Sequence, residues 1–273
     1  MSKIVLKTHG HVDERDVKRI KNIILRVYNK AKSARLNIPL IIELHIFEDD
    51  VSLNAFIELD AMSRGVRVYS KGFMAYHDAW SGIPRLFFSL KSLNNLNEDV
   101  SRGIIEHEAM HSIIHGDVRY YIISLPLILY RLVNNNKITL NDAWLATYLA
   151  SVAIKDYEVT LNLTKLGFIK SQVKYHEYML KEEEHVEGYV HNVIVNALIH
   201  LKPLASAIPL INTGLGNYIN NLINEYINRI PSDIGRYIYK LMELIPKLHG
   251  DLDSKISQFF ESLVKYIDSK ALL

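Results

Sequence analysis

The chain contains no cysteine. Disulfides and thiolate metal sites are thereby excluded, so a transition metal held here must be bound by histidines and carboxylates. Neither charge is in surplus: 32 Lys and Arg stand against 30 Asp and Glu. No basic excess points to nucleic acid as a partner, and no acidic tail points to a basic one. Long uninterrupted apolar runs are also missing. The most apolar stretches are 120–133, 143–154 and 193–211. Pro126 and Arg131 break the first; Asn196, His200, Lys202 and two prolines break the third. None offers the roughly 20 apolar residues of a membrane span, so buried helices are expected rather than transmembrane segments. The apolar run within residues 1–7 is too short for a signal peptide, and a soluble cytoplasmic protein is the expectation.

What is present is ample apolar material. Of 273 residues, 49% are hydrophobic, enough for one sizeable core or two small ones. The first hundred residues mix patterns. Asp13 is placed to cap a helix to about Ala34, with Val17, Ile20, Ile24 and Val27 on one stripe. In the segment 40–47, Ile42, Leu44 and Ile46 alternate with Glu43 and His45, the pattern of a two-faced strand. Segments 66–69, 72–77 and 85–90 read as further strands, and 49–62 as a short helix. From Asn97 onward the period is helical: 97–116, 118–133, 140–166, 172–201, 216–229, 232–249 and 252–269. The expected fold class is α+β, mainly α. The stretch from Pro203 to Gly216 is the best boundary, dividing a domain over 1–202 from a helical C-terminal extension over 203–273.

The chemistry is concentrated at His107-Glu108-Ala109-Met110-His111. Positions i and i+4 share a helical face, so two imidazoles there can grip one ion while Glu108 reaches a metal-bound water. At this histidine content such a match arises by chance in about three of a hundred chains, so its context has to decide. Ile104 and Ile114 flank the histidines on one side of the helix; Ile105, Ala109 and Ile113 cover the other. A helix apolar on both sides is buried on both sides. Two His and a Glu inside it need a partner, because unpaired buried polar groups are costly. The plainer alternative is a pair of satisfied core histidines with Glu108 at the surface. His115 lies eight residues beyond His107, about 12 Å along the axis, and cannot share its ion.

A third ligand should then come from another helix. In the segment 154–163, apolar Val159, Leu161 and Leu163 surround Glu158, and Asn162 follows four residues later on the same face. Glu158 is the candidate ligand, with Asn162 as a hydrogen-bonding partner behind the site. The competing account is an amphipathic helix whose Asp156 and Glu158 face water. Asp117 and the acidic turn 182–187 are the fallback sources of a ligand.

With these residues in view, the chain resembles the gluzincin zincins, particularly the compact minigluzincins. The likeness covers about residues 13–168. It implies a zincin-like fold with a small mixed sheet, an active-site helix and a glutamate helix. It implies Zn2+ held by His107, His111 and Glu158, with Glu108 as general base. The expected function is a zinc-dependent metallopeptidase, a hydrolase that cleaves peptide or protein substrates through a metal-activated water. Related enzymes often carry Asp four residues after the ligand Glu, where this chain has Asn162. His176, Tyr178, His185, Tyr189 and His191 are candidates to stabilise the oxyanion. The rival expectation is a helical binding or scaffold protein with a vestigial metal site. A DNA-associated zinc protease would want a basic surface, which the charge balance does not supply.

Overall fold

The computed structural model describes residues 2–66, 72–182 and 192–268. Most of the strand expected at 66–69 lies outside the described residues, as do Glu183, Glu184, His185, Glu187, Tyr189 and His191. Among the described residues the protein is mainly helical with one small mixed sheet of four strands. Two compact units divide it. The first comprises Met1–Tyr121 and Asn162–Tyr175, the second Ile122–Leu161 and His176–Leu273. Residues 203–273 therefore share a unit with 122–161 and 176–202.

The first unit is built on β1 (Lys3–His9), β2 (Ile41–Phe47), β3 (Ala75–Asp78) and β4 (Arg85–Ser89). Their spatial order is β1-β2-β4-β3, so β1 and β3 are the edges. β1, β2 and β4 run parallel; β3 returns antiparallel to β4, pairing His77 with Leu86 and Asp78 with Arg85. The alternation in β2 does what its period predicts. Ile42, Leu44 and Ile46 are fully buried on one face. On the other face Phe47 and Phe87 form a core with Leu53 and Ile57 of α2 (Asp50–Ser63), against which Phe56 packs.

α1 (Glu14–Ser33) begins where Asp13 accepts a 2.7 Å hydrogen bond from the Arg15 amide, and buries Ile20, Ile24, Val27 and Ala31. After the short α3 (Leu90–Asn95) comes α4 (Glu98–Ile114), which packs on α1, β3 and β4. Asn97 caps it by accepting from the Asp99 amide at 2.9 Å, and Glu98 and Asp99 lie at the positive end of its dipole. Two glycines let α4 sit where it does. A Cβ on Gly103 would stand 2.5 Å from the Ser171 carbonyl oxygen. One on Gly116 would strike the Ser112 carbonyl and the Pro84 ring. Gly116 follows the end of α4 without a left-handed φ, so its smallness serves close approach rather than a turn.

The helix expected over 118–133 is two pieces, a 3-10 turn at Val118–Tyr120 and α5 (Leu127–Asn134). Pro126 separates them, since a proline disfavours helical conformation in the residue before it. α6 (Leu140–Lys165) and α7 (Ile169–Glu182) contribute residues to both units. The second unit continues with α8 (Val193–Ala207), α9 (Gly216–Ile227), α10 (Ser232–Leu244) and α11 (Leu252–Asp268). Pro203, expected between helices, lies inside α8. There it is buried among Leu201, Leu204 and Ala205, and the packing of that apolar face outweighs the lost backbone hydrogen bond. Among the described residues one stretch, Val193–Asn212, is long and apolar enough to cross a membrane, and two thirds of it is buried inside the structure.

Candidate metal centre

α4 is buried from Gly103 to Ser112 except at Glu108. That single opening puts a carboxylate at a partly accessible point of an otherwise enclosed stretch of helix. One turn of helix brings His107 Nε2 and His111 Nε2 to 3.1 Å, with their ring planes crossing at 70°. Both rings are buried, at 3% and 1% exposure. Two ring nitrogens this close, in planes that cross, can share one ion. Tetrahedral zinc with Zn–N near 2.0–2.1 Å would hold two such nitrogens roughly 3.3 Å apart, so the pair fits a zinc ion closely.

His115 enters by another route than ligation. Its ring is fully buried, and its Nδ1 lies 3.1 Å from His111 Nδ1. If His111 offers Nε2 to a metal, its Nδ1 carries the proton and donates to His115. The ring of Tyr120 stands edge-on to His115, with centroids 4.8 Å apart. Tyr175 stands likewise against His107 at 5.3 Å.

Glu108 has a partner the sequence did not reveal. His77, on edge strand β3, places its Nδ1 2.6 Å from Glu108 Oε2. The His77 ring also lies flat on His111, with centroids 3.6 Å apart and planes within 14°. Segment 72–77 was legible as a strand, but only the antiparallel pairing with β4 turns His77 towards α4. Beside it, burial pushes the Tyr121 phenol well up, and the charges of Asp78 and Glu108 add to this. β3 is fixed by Asp78, whose carboxylate accepts from Arg85 at 2.7 and 2.8 Å; Arg85 also donates to Asp60 at 2.7 Å.

Three further contacts hold the back of α4. The Tyr28 hydroxyl lies 2.5 Å from Ser112 Oγ, and burial raises its pKa. Glu106, immediately before His107, is buried and accepts a hydrogen bond from Ser171; burial raises its carboxyl. Gln172 donates to the Gly103 carbonyl at 2.9 Å.

The structure thus brings His107, Glu108 and His111 together in the first unit. Glu158 belongs to the second unit, where it forms an ion pair with Lys255. Asn162 opens the second segment of the first unit. Of the candidates for the oxyanion, His176 is fully buried in the second unit. No protein-family model, no curated protein and no solved structure matches the chain.

Proposed function

We propose that the protein is a zinc-dependent metallopeptidase with a zincin-like arrangement of sheet and active-site helix. The observation that carries this is the approach of two buried imidazole nitrogens to 3.1 Å, beside Glu108, the one residue between Gly103 and Ser112 that is not buried. His107 and His111 would hold the ion. Glu158 is the third ligand on the order of the sequence, with Asn162 behind it. Bound zinc would supply Lewis acidity towards the scissile carbonyl and the attacking water. His115 fixes the ring of His111. Glu108 takes a proton from the attacking water and returns it to the departing amine nitrogen. Among the described residues β3 is an outermost strand of the sheet, and an extended peptide can add along such an edge. Substrates are accordingly peptides or proteins, nucleic acid has no part, and the cytoplasm is the proposed location.

The deciding variant is Glu108→Gln. It keeps zinc stoichiometry while peptide cleavage falls on the order of 10²–10⁴-fold. Equal cleavage by variant and wild type would sink the mechanism. One observation favours the second reading, a binding protein with a non-catalytic metal site: Glu158 is already engaged by Lys255. In that case wild type and Glu108→Gln bind zinc alike and neither cleaves.

A further inference from the structure

The geometry points to His77 as a positioning residue for Glu108, an inference that rests on the peptidase reading above. The contact itself is short and specific: His77 Nδ1 to Glu108 Oε2 at 2.6 Å. A carboxylate only accepts, so the ring nitrogen donates.

His77, Glu108 and His111 are close enough to be taken for a metal-binding group in their own right. The ring geometry argues against it. The rings of His77 and His111 are stacked 3.6 Å apart and nearly parallel. An imidazole binds a metal in its own plane, and two layered planes share no point where one ion could sit. With the rings stacked, His111 Nε2 lies against His107 Nε2 and His77 Nδ1 against Glu108.

What the contact does follows from where Glu108 stands. It is the one residue between Gly103 and Ser112 that is not buried, so the packing that immobilises the rest of the helix holds it least. A glutamate loses considerable rotamer entropy when fixed, and a general base a fraction of an ångström out of place loses rate. His77 provides the missing constraint. Its backbone is paired to Leu86, its neighbour Asp78 is tied to Arg85, and its ring is held by His111. One oxygen of Glu108 is thereby anchored, and the other remains for the substrate water.

The test uses the full chain and His77→Phe, which keeps a flat ring against His111 but removes the donor, with His77→Asn, whose amide can restore it. The expected result for His77→Phe is a kcat lower by about 10- to 100-fold, with KM and zinc stoichiometry unchanged and most of kcat recovered in His77→Asn. Imidazole nitrogen NMR of metal-free protein gives a readout independent of cleavage. His77 Nδ1 is protonated in the wild type, and its signal shifts in Glu108→Ala. That second readout stands if His77→Phe fails to fold. Loss of zinc in His77→Phe would make His77 a ligand and overturn the assignment, as would an unmoved NMR signal. A wild type that cleaves, matched by His77→Phe, overturns the positioning role alone. A wild type that binds zinc and cleaves nothing overturns the peptidase reading, and this role with it.

Discussion

Two pairs of histidines in the first unit have almost the same nitrogen–nitrogen separation and opposite meanings. His107 and His111, on one helix, stand 3.1 Å apart with planes crossed at 70°. His9 and His45, on neighbouring parallel strands, stand 3.2 Å apart with planes within 10° and centroids at 5.4 Å. In the strand pair the centroid distance exceeds the nitrogen distance by about two ring radii, so the nitrogens face each other along one line. That is a hydrogen bond, with no room for an ion between. The chain of contacts fixes its direction. Lys7 donates to Glu43 at 2.9 Å, and Glu43 Oε2 lies 3.2 Å from His45 Nε2. The carboxylate accepts from that Nε2–H, so His45 Nδ1 accepts from His9. Distance between histidines therefore says little; the angle between their planes separates a candidate metal site from a polar relay.

The largest effects should fall on one pair only. Alanine at His107, His111 or Glu158 is expected to lower zinc content sharply and abolish cleavage. Alanine at His9 should leave zinc stoichiometry unchanged, as read by metal analysis of purified protein. Full zinc in Glu158→Ala would move the third ligand elsewhere. Zinc lost on changing His9 would break the distinction drawn from ring planes.

The strand pair should appear in stability instead. Burial lowers the pKa of His45 to about 4, with Lys7 and His9 adding to the effect against the pull of Glu43. The groups facing it are Lys7 and His9 from β1 and Glu43 within β2, while α2 offers the ring of Phe56 and β4 that of Phe87. The native state thus refuses a proton that the unfolded chain takes up below about 6.5. Stability is intact above pH 6.5, falls as the pH drops, and stops falling on this account near 4. Between pH 7 and 5 the loss assignable to His45 is about 2 kcal/mol by linkage. Urea unfolding at the two pH values measures it, and His45→Phe should flatten the dependence. An undiminished slope in that variant would assign it to other groups.

The two pairs were also unequally legible. An i,i+4 spacing on a helix survives any error in tertiary placement, so His107, Glu108 and His111 could be read directly. His9 was present as a loose His-Gly-His and carried no signal. Its meeting with His45 depends on the register that sets Lys7 opposite His45 and His9 opposite Phe47, and a one-residue slip would turn its ring to the other face. The same holds for His77, whose strand could be recognised but not the helix it faces. Pro126 is plain in the sequence, yet the apolar residues around it keep a helical period that hides the break. Glu158 stands out among apolar Val159, Leu161 and Leu163, but no local pattern points to Lys255, 97 residues away.

The smallest effect tests the relay at its outer end. Lys7 is about half exposed and its pair with Glu43 is partly screened, so Lys7→Ala should cost less than about 1 kcal/mol at pH 7. Its influence on the acid side has the opposite sign. The ammonium disfavours a second positive charge on His45, and it holds Glu43 below the usual carboxylate range although partial burial pushes that carboxyl up. Removing Lys7 leaves Glu43 to attract the His45 proton alone, so the pKa of His45 rises towards 6.5. The acid loss then shrinks, and the stability curves of variant and wild type approach each other as the pH falls from 7 to 5. Parallel curves would mean that Lys7 acts on Glu43 alone and that the relay ends there.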